Sequence, residues 1–205
     1  MSTRSSIGIK REDGSIQMFY CHSDGYFSHN GRILLAHHNS LEHAKALVAE
    51  GSLSSLGEVI GEKHDFDWRD DFSMDWDAIR ADPRSKMCRF YGRDRCEADV
   101  GAQKFANLAD AENVLEEYLY LWDVARGCWI AASIDCSPPT FLKWFTLEQL
   151  GAEGYLLEGN HDDPAEHGAM KPIPYDEAFM SIANSAAANH AGAQMGAVLE
   201  ALHSF

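Results

Sequence analysis

Apolar residues alternate with polar ones through Ile7 and Ile9 and again through Ile16, Met18 and Tyr20, with Asp13-Gly14 between the two runs. That pattern predicts two strands joined by a tight turn. An Asp-Gly pair favours the two-residue type I′ turn, in which both central residues take positive φ. Such a turn sets Glu12 opposite Ser15, Ile9 opposite Met18 and Ile7 opposite Tyr20. Ile7, Ile9, Ile16, Met18 and Tyr20 then share one face and read as core.

Further along, Leu41, Ala44, Leu47 and Val48 follow Ser40 at helical spacing until Gly51, which predicts a capped helix over 41–50. Glu58–Ile60 and Met87–Tyr91 read as short strands, and Asn107 opens a helix over 108–118 with Leu108, Ala111, Leu115 and Tyr118 on one face. Tyr118–Asp123 and Cys128–Ala131 form a second hairpin through Gly127, so rich in aromatic residues that a central position is expected. Thr146-Leu-Glu-Gln149 is a capping box for a one-turn helix ended by Gly151. Residues 153–174 read as a long loop. From Tyr175 to His203 there is no proline, and Phe179, Ile182, Ala186, His190, Ala193, Val198 and Leu202 keep a helical stripe. Such a helix would be on the order of 40 Å long.

The expected fold is therefore α+β: an antiparallel sheet built on the two hairpins, helices 41–50 and 108–118 on one face, and a long C-terminal helix. Residues 1–150 form the core domain with an excursion at about 62–86, and residues 151–205 add the loop and helix. Ala188, Gly192 and Gly196 give that helix a face almost without side chains, suited either to close packing on the sheet or to a homodimer.

At 205 residues and 45% apolar content the chain has ample material for a core. Met1–Ser6 lacks the apolar centre of a secretory signal and no apolar run approaches a membrane span, so a cytoplasmic protein without membrane contact is expected. Five cysteines include no C-x-x-C pair, and Cys88–Cys96 and Cys128–Cys136 match no zinc spacing. His29, His37, His38 and His43 supply no H-x-x-x-H with a glutamate base. Neither metal nor cofactor is expected.

Charge changes the picture more than composition does. Thirty-two acids face 17 bases, a net −15. Residues 58–82 and 146–170 each carry a net −6, together −12 of that total. The balance argues against direct binding to a nucleic-acid backbone, which needs Lys and Arg to neutralise phosphates. It leaves a solvated face, or a face whose carboxylates approach a basic groove on a partner. The densest stretch interleaves Asp65, Asp67, Asp70, Asp71 and Asp75 with Phe66, Trp68, Phe72 and Trp76; these aspartates with Trp68 and Trp76 are candidate contacts for a partner, while the aromatic rings also suit anchoring of the segment to the body.

Two other places carry chemistry. His22 and Asp24 stand two apart in Tyr20-Cys-His-Ser-Asp-Gly-Tyr26, where a carboxylate beside an imidazole would orient a general base, while Asp24-Gly25 also suits an ordinary turn under Tyr26. Arg93 and Arg95 flank Asp94 and could hold a carboxylate or phosphate, or merely neutralise local acids. Gly159-Asn160-His161-Asp162 is reminiscent of a metallophosphoesterase element, but its upstream Asp-x-His partner is missing. P-loop, dinucleotide and nucleophile-elbow fingerprints are absent.

On Ser2-Thr-Arg4, Ile7-Gly-Ile-Lys-Arg-Glu-Asp-Gly14, Tyr20–Tyr26, Tyr91-Gly-Arg-Asp-Arg95 and Tyr118–Asp123, about the first 135 residues resemble a group of uncharacterised proteins from bacteriophages, prophages and plasmids. That group usually has Trp where this chain has Ser23. The resemblance implies a mobile-element accessory protein acting inside a bacterial cell and carries no activity. Joined to the clustered acid, it leads to the expectation of a non-catalytic binder of a host protein or protein–nucleic-acid complex, with counter-defence of the anti-CRISPR or anti-restriction type favoured. The alternatives are a small-ligand or nucleotide-binding protein or enzyme centred on His22, Asp24 and Tyr26 with Arg93 and Arg95, and an assembly protein pairing through the C-terminal helix.

Overall fold

A computed structural model describes residues 2–72, 75–134, 142–162, 164 and 170–173 of the 205. The fold is α+β. The C-terminal helix expected over 175–203, with its Ala188, Gly192 and Gly196 face, lies outside the described residues.

Strands β1 (Ser5–Lys10) and β2 (Ile16–Cys21) form the first hairpin, but in a register different from the expected one. Ile7 pairs with Phe19, Gly8 with Met18 and Ile9 with Gln17. The loop explains the shift. Arg11 N–H donates to Ser15 O (2.8 Å), Gly14 N–H donates to Arg11 O (3.0 Å), and Gly14 has φ 85° while Asp13 stays out of the left-handed region. This is a three-residue loop with glycine at the left-handed position, rather than a two-residue type I′ turn. One added loop residue moves every side chain of β2 to the other face. The expected single face therefore splits: Ile7 and Ile9 join Phe19 and Cys21 on one side, and Ile16 and Met18 lie on the other.

Both sides are buried. After α1 (Arg32–His37) and α2 (Leu41–Glu50) come β3 (Leu53–Ser55), α3 (Trp76–Ala81), β4 (Arg89–Phe90), α4 (Tyr91–Arg95) and β5 (Gln103–Phe105). The second hairpin, β6 (Tyr118–Asp123) and β7 (Cys128–Ser133), turns at Gly127, and β8 (Phe145–Thr146) and α5 (Leu147–Ala152) follow. The strands make one sheet in the order β4-β3-β2-β1-β6-β7-β8, with β5 paired to β2. The sheet is mixed, not antiparallel. Ser5–Lys10 runs parallel to Tyr118–Asp123, and Cys21 meets Leu53 in parallel. A parallel neighbour requires the chain to return to the end of the sheet where the first strand began; the antiparallel β2 returns it for β6, and residues 22–52 with α1 and α2 return it for β3. Strands covered on both faces read as nearly continuous apolar runs, which is the character of Tyr-Leu-Tyr-Leu-Trp in β6.

One face packs Ile7, Phe19, Tyr120 and Trp129 against Leu34, Leu47 and Leu147 from α1, α2 and α5. The opposite face packs Met18, Leu119 and Leu121 against Leu108, Ala111 and Trp144. The expected pair of helices on one face is thus divided between two. Nor is 108–118 one helix: a 3-10 helix covers Ala109–Val114, because Tyr118 is already in β6. The N-cap position is Leu108, not the expected Asn107, whose Oδ1 accepts from Asp110 N–H (3.0 Å) from one residue further out. The expected strand Met87–Tyr91 is reduced to β4, since Tyr91 starts a helical turn, and Val59 reaches Met87 through a single parallel bridge.

Helix α2 is as expected. Ser40 Oγ accepts from His43 N–H (3.2 Å), and Gly51 at φ 84° ends it. The capping box of α5 is present, but the helix passes Gly151 and stops at Ala152.

Candidate functional site

At the exit of β2 the sequence-predicted pair of His22 and Asp24 is not made. Tyr20 and His22, two apart on an extended strand, share a side, and Tyr20 Oη lies 2.7 Å from His22 Nδ1. Beyond Cys21 the chain leaves the strand, and Asp24 adopts φ 56°. Its carboxylate accepts instead from the Tyr26 hydroxyl (2.9 Å), a bond that raises the Tyr26 pKa, with burial adding to it. The Tyr26 ring meets His161 edge-on at 4.8 Å, so the hairpin exit and the Asn160-His161 loop come together.

His22 also lines a cavity of about 420 Å³ with Ser2, Thr3, Arg4 and Glu117. Backbone bonds hold its edge: His22 N–H donates to Leu53 O and Ser23 N–H to Ser54 O, each 3.1 Å. Tyr20 lines a neighbouring space of about 300 Å³ with Ser6, Ser52 and Glu116. Burial raises the pKa of both Tyr20 and Glu116, while Arg4 acts against it in each case.

Arg93 is a structural brace. Its Nε and Nη2 grip both Asp94 oxygens (2.8 and 3.0 Å), Nη2 also donates to Cys88 O (2.8 Å), and Nη1 donates to Ile60 O and Gly61 O (3.0 Å each). All five donors are engaged, which leaves none for a ligand. Arg95 pairs with Glu97 at 3.2 Å and lies over Phe66 at 5.1 Å. Neither Arg93 nor Arg95 lines the cavity that holds His22. A cavity of about 610 Å³ lies elsewhere, between the first hairpin's tip and α2, where Ile9, Leu41, Val48 and Val124 form its apolar wall and Arg11 and Lys45 its rim. Sequence reasoning missed it, since hairpin tip and helix meet only in the folded chain.

The acidic excursion has two distinct sides. Phe66 and Trp68 are buried, and Trp68 is 1% exposed. Phe66 stacks on Tyr91 (5.5 Å), and Arg84 lies 4.7 Å over the Trp68 ring. Trp68 was a candidate contact residue from sequence; burial assigns it to anchoring, whereas Trp76 is 55% exposed. Asp65, Asp67, Asp70, Asp71, Asp75 and Asp77 are all exposed. Part of the aspartate density has a local cause. Asp65 caps Asp67 N–H, and Asp75 accepts from Asp77 and Ala78 N–H (3.1 Å each) to start α3. Asp82 accepts Arg84 N–H and is gripped by its guanidinium, which holds its pKa down to about 2.

Among the described residues no group of His, Cys, Asp and Glu is arranged to hold a metal ion. His38 is buried with Nε2 2.8 Å from Gly57 O, while neighbouring His37 is exposed. No helix of the described residues is long and apolar enough to cross a membrane. Comparison with known proteins gives no relative: no protein-family model matches the chain, nor does any curated protein or solved structure.

Proposed function

We propose that this is a non-catalytic binding protein of phage or mobile-element origin that sets its acidic face into a basic groove of a host nuclease or surveillance complex. Counter-defence of the anti-CRISPR or anti-restriction type is the favoured role. One observation carries the reading: over 65–77 the aspartates point to solvent while Phe66 and Trp68 are drawn into the body. The carboxylates are thus grouped on an ordered support, with exposed Trp76 among them as an apolar contact of the kind enriched in interface centres. A basic groove shaped for phosphates would be attracted by such a field and steered toward it.

The test is capture of partners from host lysate by tagged protein at low and high salt. The comparison is a variant with Asp67→Asn, Asp70→Asn, Asp71→Asn and Asp77→Asn, which spares the capping aspartates Asp65, Asp75 and Asp82. A nucleic-acid-binding protein retained by the native chain, released at high salt and lost with the variant supports the reading, because exposed charges are screened beyond about 10 Å at 0.1 M salt. Equal capture by the variant, or no nucleic-acid-binding partner, overturns it.

A further inference from the structure

At the end of the sheet where β1 begins, three side chains of different chemistry fall into one row. Ser5 pairs with both Cys21 and Tyr118, so the register continued by one residue sets Arg4 between His22 and Glu117. The hydrogen bonds do continue: Tyr118 N–H donates to Arg4 O (3.3 Å), and Arg4 N–H donates to Glu117 Oε1 (3.1 Å). Opposite residues share a face and every second residue returns to it, which puts Arg4, His22 and Glu117 on the side of Ser6, Tyr20 and Leu119. All three line the cavity of about 420 Å³, together with Ser2 and Thr3.

Backbone bonds fix the wall of this cavity. Gly25 N–H donates to Thr3 O (2.8 Å), the Ser2 hydroxyl donates to His22 O, and His22 N–H donates to Leu53 O (3.1 Å). A side chain at Gly25 would collide with the carbonyls of Thr3 and Arg4, so glycine lets the turn after β2 lie directly against the chain that enters β1.

The chemistry of the row is equally defined. Burial raises the Tyr20 pKa, so the phenol keeps its proton and donates it to His22 Nδ1 across 2.7 Å. The neutral imidazole then carries its hydrogen on Nε2, which has no partner among the described residues. Glu117 uses Oε1 on Arg4 N–H and keeps Oε2. The row therefore offers an N–H donor, a cation and an anion in that order, across two inter-strand spacings of about 5 Å each. A phosphate dianion would be opposed by Glu117 and neighbouring Glu116, and a simple cation by Arg4. A ligand with both charges on neighbouring atoms satisfies both ends.

We propose that Arg4, His22 and Glu117 bind the zwitterionic head of a free α-amino acid, its carboxylate on the Arg4 guanidinium and His22 Nε2–H and its ammonium on Glu117. The cavity is of the size of small-molecule sites and leaves room for a side chain. None of the three residues belongs to the acidic excursion, so this binding stands or falls independently of any macromolecular partner there.

The experiment is calorimetric titration of the full chain with each common L-amino acid and, for any that binds, with the amine lacking its carboxylate and the acid lacking its ammonium. The expected result is saturable binding of at least one amino acid, with both analogues weaker by about tenfold or more, the contribution of a hydrogen bond to a charged group. Glu117→Gln keeps an oxygen for Arg4 N–H, and Arg4→Met leaves the backbone bonds of Arg4 in place. Each should weaken the amino acid by a similar factor, while Glu117→Gln leaves the ammonium-free acid unaffected and Arg4→Met leaves the carboxylate-free amine unaffected. Tyr20 is a positioning residue: nitrogen-15 NMR of neutral His22 should show the proton on Nε2, and Tyr20→Phe should shift part of it to Nδ1. No saturable binding of any amino acid up to about 10 mM, well above a millimolar Kd, analogues that bind as tightly as the amino acid, or a proton on Nδ1 in the native chain overturns the proposal.

Discussion

The Lys10 ammonium lies 3.1 Å from the Asp123 carboxylate, with the two side chains 2% and 0% exposed. They are register partners at the end of the parallel β1–β6 pair, so the ion pair closes the centre of the sheet. Asp123 also accepts from Arg126 Nη1 at 2.7 Å and caps the turn through Ala125 N–H at 3.0 Å. Attraction between buried charges is offset by desolvation, but removing one partner leaves the other's desolvation uncompensated.

The two halves of this pair should therefore respond unequally. Asp123→Asn takes the counter-charge from buried Lys10 and weakens the turn, at a loss of about 3–5 kcal/mol. Lys10→Met leaves Asp123 with Arg126 and should lose less, about 1–3 kcal/mol. Equilibrium urea unfolding of the two variants measures both. Equal losses would show that Arg126 does not compensate.

Acid should weaken the attachment of α4 through Asp94. Burial works against its ionisation, but Arg93 and the N–H groups of Phe90 (2.8 Å) and His64 (3.2 Å) outweigh it, and the pKa lies below 3.8. A carboxyl more acidic in the native state than in the unfolded chain stabilises fully above the unfolded value near 3.9 and loses that contribution as pH falls through the native value. Asp94→Asn should be less stable than the native chain at pH 7 by about 3–5 kcal/mol. The gap should narrow steadily below about pH 4. Denaturation midpoints between those conditions give the result, and a gap independent of pH would contradict it.

Thiol chemistry should follow burial. Desolvation pushes Cys21 up to about 11 and Cys88 up to about 12, and both are shielded from solvent, whereas Cys96 is exposed. The thiolate is the reacting species. At pH 7.5 iodoacetamide should modify Cys96 well before Cys21 and Cys88, which it should reach only at the rate of global opening, and mass spectrometry of digested protein resolves this residue by residue. Early modification of Cys21 would mean that the β2 exit opens locally.

What could be read from sequence was local. Ser40 and Gly51 bound α2 by backbone hydrogen bonding within a few residues, and Tyr118–Asp123 with Gly127 announced a hairpin by composition alone. The first hairpin's register was not legible, because Asp13-Gly14 is compatible with two loop lengths and one residue decides which face Met18 occupies. The Ile7–Tyr120 pairing joins distant segments and left no local mark, so the parallel centre went unseen. At the candidate sites, the exposed aspartates followed from charge density. That Arg93 would spend every donor on Ile60, Gly61, Cys88 and Asp94 depended on a contact between segments that no spacing encodes.

Trp68 should hold the acidic face in place. Its ring is buried, meets Phe72 edge-on at 5.7 Å and carries Arg84 and Arg69 over its surface at 4.7 and 5.5 Å. Such stacking adds to the apolar burial, and truncating a buried Trp costs about 3–5 kcal/mol where the structure unfolds as one unit. The excursion, however, is an insertion from the sheet edge: Trp68 belongs to neither of the two clusters that cover the sheet. Trp68→Ala should therefore release residues 64–82 by local opening. Amide exchange there should accelerate at least tenfold while Ile7–Ile9 and Leu119–Leu121 keep their protection, and Trp68→Phe should restore most of the difference. Loss of protection spread evenly over the sheet would instead make the excursion part of the cooperative core, and the acidic face would then be as rigid as β1 and β6 themselves.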